Sequence, residues 1–422
     1  MDDILKHQLK GDRVIWALYG LLLAISLVEG FSSQSFFVSR ASSAVEPLFK
    51  HAFHLLLGLV ILVFVQLVNY RSIRMSGWCI WGASVILLVY TLIGGSGVNG
   101  ASRWAFGLQP SEFAKLGLIL ATADWIARAK NPGKPEFEAK YFKWFACIVL
   151  VTCGLIFPGN LSTAVLLFAV IVAMLFCGGV AFKRILGMCG IVAAVVAFVL
   201  LMAWIVPQEH FIDEQTGRVR TDMNVVESGY YRLFGRAYTW KARIERFSDE
   251  KTSEYVINDA TRQPMYGQIA IARGGFLPHL PGSSEVRNKL PQAYSDFVFS
   301  IIVEELGSIL GGLLVMTIYL VLLFRAGRVA YKSTMVYPAV LVIGVALMIV
   351  LQAVVHMAVC VQMIPVTGQP LPLITRGGTS IVVTSIYFGL LLNVTRYASA
   401  NHEARADMLP VEEMESVTES TD

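Results

Sequence analysis

Apolar runs near twenty residues long recur along the chain, separated by short polar connections. They predict ten helices at roughly 14–30, 51–68, 77–95, 110–127, 141–157, 161–179, 185–206, 297–324, 335–360 and 379–397. Runs of that length match the ~30 Å hydrocarbon core of a bilayer. They are continuous rather than alternating, which excludes a β-barrel and leaves an all-α polytopic membrane bundle. The pattern breaks once, over 207–296, where mixed charges, Pro, Gly and aromatics such as Tyr230, Tyr231, Trp240 and Phe247 take over. That stretch has too few apolar residues for its own core, so a part-helical, part-irregular layer on the membrane face is expected. The organisation read from this is a short N-terminal segment (1–13), seven spans (14–206), a large loop (207–296), three spans (297–397) and an acidic, disordered tail (398–422).

Charge orients the bundle. One set of short loops carries Lys6, Lys10 and Arg13; Arg71 and Arg74; Arg128, Lys130, Lys134 and Lys140; Lys183 and Arg184; and Arg325, Arg328 and Lys332. The alternate set has little beyond Arg40, Arg103 and Arg376. The positive-inside rule places the first set and both termini in the cytoplasm, and the large loop outside. Val14 to Leu27 is followed by a bulky polar stretch and no small-residue cleavage site, so the first span reads as a retained anchor. Hydrophobic residues make up 55% of the chain and charged ones 15%, and the net charge of +4 is too dilute to suggest nucleic acid as a partner. The six cysteines lie in or beside apolar runs without a CxxC pair, which speaks for helix packing rather than disulfides or metal.

Polar residues at the ends of the apolar runs are the candidate chemistry. Asp296, at the end of Leu290-Pro-Gln-Ala-Tyr-Ser-Asp296-Phe, sits where a polar segment becomes a span, with Glu304 and Glu305 further in. A carboxylate at that boundary meets a water-soluble group and a lipid headgroup together. Gln109-Pro-Ser-Glu-Phe-Ala-Lys115 opens the fourth span, with Ser111 as expected N-cap. Its Glu112 and Lys115 share a face, either as a structural pair or as part of a site. Lys115 and Asp296 are expected at the outer ends of their spans, close enough to pair. Asn99-Gly-Ala-Ser-Arg103-Trp104 is a turn with an interfacial aromatic and a cation able to hold an anionic headgroup. Thr367 to Ser380, with two prolines and two glycines, is a stiff outer loop entering the last span, and irregular backbone at that depth implies a cavity or protein behind it. Two residues have plainer readings: His356 as a packed, hydrogen-bonded imidazole, and Asp124 as a side chain snorkelling to the inner headgroups.

Taken together, Asn99-to-Trp104, Gln109-to-Lys115, Leu290-to-Phe297, Glu304-Glu-Leu-Gly307 and Thr367-to-Ser380 resemble the SEDS family (shape, elongation, division and sporulation) from about Gly94 to Arg396. The pattern departs from the family at Pro158-Gly-Asn160-Leu-Ser-Thr163, which lacks a carboxylate, at Gln292, Tyr294 and Ser295 before Asp296, and at Thr375-Arg376. The resemblance implies a peptidoglycan glycosyltransferase that polymerises lipid II, with a polyprenyl-diphosphate-linked glycan as donor, at the outer face of a bacterial cytoplasmic membrane. Asp296 is then the candidate general base. Substrate contacts are expected from Lys115, Glu112, Arg103, Trp104, Arg243, Arg246, Glu304, Thr367 and Arg376. The leaving diphosphate calls for cations, from these side chains or from a divalent ion (Mg or Mn). A class B penicillin-binding protein and other division membrane proteins are the implied partners. Asn99-to-Trp104 leans to the division branch of the family over the elongation branch. A lipid II flippase or a pure scaffold are the competing classes; a flippase calls for charges near the midplane and paired repeats, neither of which the sequence displays.

Overall fold

The computed structural model describes residues 11–38, 45–94, 96–98, 101–205, 261–279, 281–290 and 295–406, with isolated positions between 238 and 257. Each expected span falls on a helix: α1 Arg13–Val38, α2 Val45–Leu67, α3 Tyr70–Gly94, α4 Pro110–Ala129, α5 Phe137–Ile156, α6 Leu161–Cys177 and α7 Phe182–Ile205, then, after the large loop, a broken helix, α11 Val336–Cys360 and α12 Gly378–Ala406. The broken helix runs as α9 Val298–Leu306, a π-helical stretch Gly307–Leu313 and α10 Leu314–Lys332. Strands β1 Ser96–Val98 and β2 Ala101–Trp104 form a small antiparallel hairpin after α3. Among the described residues, eight helical stretches are long and apolar enough to cross a membrane. The chain is a multi-pass membrane protein.

Two expected spans, α4 and α6, fall outside those eight for different reasons. Leu161–Cys177 is merely short, at 17 residues. α4 carries Glu112, Lys115, Asp124 and Arg128 in 20 residues, yet it is buried along almost its whole length. A helix surrounded by other helices meets no lipid, so its charges need partners rather than solvent. α11 is its counterpart, packed against α4, α6, α10 and α12. α7 is peripheral, with only 11% of its apolar stretch buried, against 83% for α12.

The ends of the bundle differ. At one, Arg184 and Lys130 meet Glu138 at 2.7 and 3.0 Å, Arg325 meets Asp12 at 2.7 Å, and Asn393 donates to the carbonyls that end α2, including Val68 at 2.7 Å. The basic loops of α3 to α7 and α10 therefore share this end. Asp124, read as snorkelling, is instead fully buried here: Arg74 reaches it at 2.5 Å, Arg128 at 2.8 Å and the Trp78 indole at 2.8 Å. Arg74 comes from a helix 50 residues away in sequence, and no local pattern announces such a pair.

The large loop is described only in part. It contributes the amphipathic helix α8, Arg262–Gly274, laid against α9, and a short 3-10 turn at Val286–Asn288. The last helix runs to Ala406, past its expected end at 397; the acidic tail beyond lies outside the described residues. All six cysteines are free.

Candidate functional site

α4 starts two residues earlier than Ser111 as N-cap suggested. Gln109 is the N-cap, in extended backbone, and Pro110 is the first helical residue, where its missing N–H costs nothing. This start puts Glu112 in the first turn and Lys115 one turn on, and the two form a buried ion pair at 2.8 Å. Lys115, fully buried, also donates to Gln352 Oε1 on α11 at 3.1 Å. The expected Lys115–Asp296 pair is not formed; Glu112, on the same helix face, holds the ammonium.

From Lys115 the polar chain continues into the loop before α12. Gln352 Nε2 donates to the Pro370 carbonyl at 3.0 Å, and Gln369 Nε2 donates to Thr163 Oγ1 at 2.9 Å. Thr163 lies in the first turn of α6, which Asn160 caps by accepting its N–H at 3.2 Å. Four further side chains bind carbonyls of the same loop: Arg243 Nη1 at Val366 (2.8 Å), Ser162 Oγ at Thr367 (3.5 Å), His356 Nδ1 at Gln369 (2.7 Å) and Tyr319 OH at Pro372 (2.7 Å). Prolines and irregular dihedrals deny this segment a helix or sheet ladder, and its buried carbonyls are satisfied one by one from the surrounding helices.

The loop so held presents Gly368 to Asp296. Gly368 has φ +68, a conformation glycine adopts without strain, and a Cβ placed there would stand 3.9 Å from Asp296 Oδ2. Asp296 itself is partly exposed, just before α9, where the helix dipole favours negative charge. Ser295 Oγ donates to its Oδ1 at 3.0 Å, and Cys360 Sγ lies 3.8 Å from its backbone carbonyl.

The remaining predicted residues separate by position. Glu304 and Glu305 face the loop side of α9. Glu304 accepts from Ser284 Oγ and from the Val286 N–H at 3.5 Å, with Arg273 at 3.6 Å. Glu305 accepts from Ser32 Oγ and from the Gly282 N–H at 3.0 Å, with Arg287 at 3.8 Å. These carboxylates tie 282–287 to α9 and α1. Thr367 is buried with its hydroxyl unpartnered. Arg376 is half-buried, two residues before α12 begins. Trp104 ends β2, about one-third exposed at 37%. Arg103 lies on β2 with its side chain outside the description, and Arg246 lies outside the described residues. No group of three or more His, Cys, Asp or Glu that could hold a metal is present among the described residues.

The sequence reading passed over Gln352 and gave Gln369 and Thr163, inside segments it did single out, no role of their own. The available signal was uncharged polar side chains inside or beside apolar spans, which hydrogen-bond across helices.

Residues 12–400 match the model of the FtsW/RodA/SpoVE cell cycle proteins. The chain belongs to the FtsW/RodA/SpoVE family. Similar proteins include a "probable peptidoglycan glycosyltransferase FtsW" of Aromatoleum aromaticum, 32% identical over 398 residues (90% of this chain, 87% of the relative). One of the same description from Trichlorobacter lovleyi is 31% identical over 350 residues (81% of each). Among solved structures, a chain of a peptidoglycan synthase complex described as coordinating polymerization and crosslinking superposes with TM-score 0.63 at 23% identity, covering 92% of this chain and 98% of that one. Thermus thermophilus RodA, a rod shape determining protein, gives TM-score 0.59 at 23% identity, covering 92% and 97%. Both share the fold of this FtsW/RodA/SpoVE member.

Proposed function

We propose that this protein is a peptidoglycan glycosyltransferase that polymerises lipid II at the outer face of the cytoplasmic membrane, for septal wall synthesis in division. The observation that carries the reading is a partly exposed Asp296 set against a loop whose carbonyls are individually held, within a chain of this family. The FtsW description of its relatives favours division over elongation.

The acceptor is the sugar 4-hydroxyl of lipid II. It does not ionise at neutral pH, so Asp296 takes its proton as general base. The oxygen attacks the anomeric carbon of the glycan held on polyprenyl diphosphate, the bond to diphosphate breaks, and an α-linkage becomes β in one inverting displacement, as in inverting glycosidases. Diphosphate leaves without a strong acid but gathers charge, which Arg103, Arg246 and Arg376 are placed in sequence to meet. Trp104 and Thr367 complete the substrate contacts. Glu112, Lys115, Glu304 and Arg243 act chiefly by position: the first two with Gln352, and Arg243 directly, fix the 366–372 loop, while Glu304 fixes the 282–287 segment. No step is assigned to a Mg or Mn ion. Both termini lie in the cytoplasm, and a class B penicillin-binding protein that crosslinks the new strand is the proposed partner, with other division proteins around it.

Purified protein in detergent, supplied with lipid II with and without that partner, should produce glycan chains longer than the disaccharide, and Asp296→Asn should not. Transport of lipid II across vesicle membranes without polymer in either condition would move the assignment to a flippase.

A further inference from the structure

At the basic-loop end of the bundle lies a lateral groove of about 420 Å³ between α3, α4 and α5, lined mainly by Trp78, Trp125, Arg128, Phe137, Tyr141 and Trp144. Its volume falls in the ~300–1,000 Å³ range of small-ligand sites. It is far from the reaction site, since Lys115 and Arg128 are 13 residues apart on one helix, about 20 Å along its axis.

Three features say what fits. The walls are aromatic and open sideways: Trp125 stacks on Phe145 at 4.5 Å, and Trp144 is 73% exposed. Arg128 uses only its Nε, on Asp124 at 2.8 Å, and its side chain is 57% exposed, so the rest of the guanidinium faces outward. The charges that touch the lining are Arg74 and Arg128, both on Asp124, and Lys140, 5.4 Å over the Tyr141 ring, and with Asp124 they sum to +2. An exposed apolar wall beside an outward-facing cation calls for a ligand with a chain and an anionic headgroup.

We propose that this groove binds an anionic phospholipid, its acyl chain along the aromatic wall and its phosphate on Arg128. Basic pockets between membrane helices hold such headgroups elsewhere. Polyprenyl phosphates share part of this chemistry, and the test separates them.

The full chain is reconstituted in phosphatidylcholine vesicles containing a small fraction of brominated-acyl phosphatidylglycerol or brominated-acyl phosphatidylcholine. The Trp144 signal is the difference between wild type and Trp144→Phe. Brominated phosphatidylglycerol should quench it at about one-fifth the mole fraction that phosphatidylcholine needs, the preference one headgroup cation gives. Arg128→Gln should abolish the preference, and Arg128→Lys should retain most of it. Asp124 keeps Arg74 and Trp78 in either variant, and the lipid comparison in wild type stands if Arg128→Gln does not fold. Equal quenching by both lipids, or a preference unchanged in Arg128→Gln, overturns the proposal. So does relief of quenching by undecaprenyl phosphate at lower mole fraction than by unlabelled phosphatidylglycerol, which would give the groove to the polyprenyl carrier.

Discussion

Asp296→Asn keeps the shape of the side chain and its contact with Ser295 while removing the base. Loss of a general base lowers rate by about 100- to 10,000-fold. Polymerisation of lipid II by the purified variant should fall within that range at unchanged expression and unfolding temperature; retention of more than about a tenth of the wild-type rate would remove Asp296 from the base role. Lys115 is a different kind of residue. Its ammonium is buried against Glu112 and Gln352, so Lys115→Met strands a buried carboxylate, a loss of about 3–5 kcal/mol. Glu112→Gln added to Lys115→Met removes the stranded charge and should recover most of the unfolding temperature and, with it, much of the activity, because close pairs are not additive. Stability that returns without polymerisation would mean that the ammonium touches substrate directly. The sequence revealed Glu112 and Lys115 through their spacing. It did not reveal Gln352, which follows Lys115 by 237 residues and is an uncharged polar residue inside a 25-residue apolar helix.

At the scale of elements, each of the ten spans that hydropathy predicts falls on a helix among the described residues, because lipid and core demand the same long apolar runs. It failed where environment differs along a helix. α4 is buried by its neighbours rather than by lipid, so Asp124 finds Arg74 inside the bundle instead of snorkelling out. The break in the eighth span, Gly307–Leu313, was also missed, since its apolar glycine-containing sequence reads as continuous helix until the packing is seen. That packing is close: a Cβ on Gly274 of α8 would meet the Val303 carbonyl on α9, and one on Gly311 would meet the carbonyl of Ile302. Backbone cannot yield as a side-chain tip can. Gly274→Ala should therefore lower stability by about 1–3 kcal/mol and reduce polymerisation, because α8 and 282–287 cover the same helix that Asp296 precedes. Gly187→Ala on α7, where nothing lies within 4 Å of the added carbon, is the control and should be neutral or slightly stabilising in thermal unfolding.

The whole molecule has one basic end and one end that holds Asp296. Several cations at the basic end are paired: Lys130 and Arg184 with Glu138, Arg325 with Asp12, Arg74 and Arg128 with Asp124. Those acids do not blunt the orientation argument, because Asp and Glu count for little in the positive-inside rule and the bias is set by Lys and Arg in short loops. The contacts bring the basic loops of α3 to α7 and α10 to the same end, as a single orientation requires. Reactivity from outside reads the orientation directly. In a background with the six native cysteines replaced, single cysteines at Ser102 on β2 and at the exposed Pro278 should react with an impermeant maleimide in spheroplasts. Cysteines at the exposed Lys134, between α4 and α5, and at Ser333, after α10, should react only once the membrane is permeabilised. Thr375 is a poor reporter, since it is 97% buried and its hydroxyl accepts the Leu371 N–H at 2.7 Å. Labelling at Lys134 and Ser333 in intact spheroplasts, with none at Ser102 and Pro278, would invert the molecule. It would also put Asp296 on the cytoplasmic side, where an external polymerase could not use it.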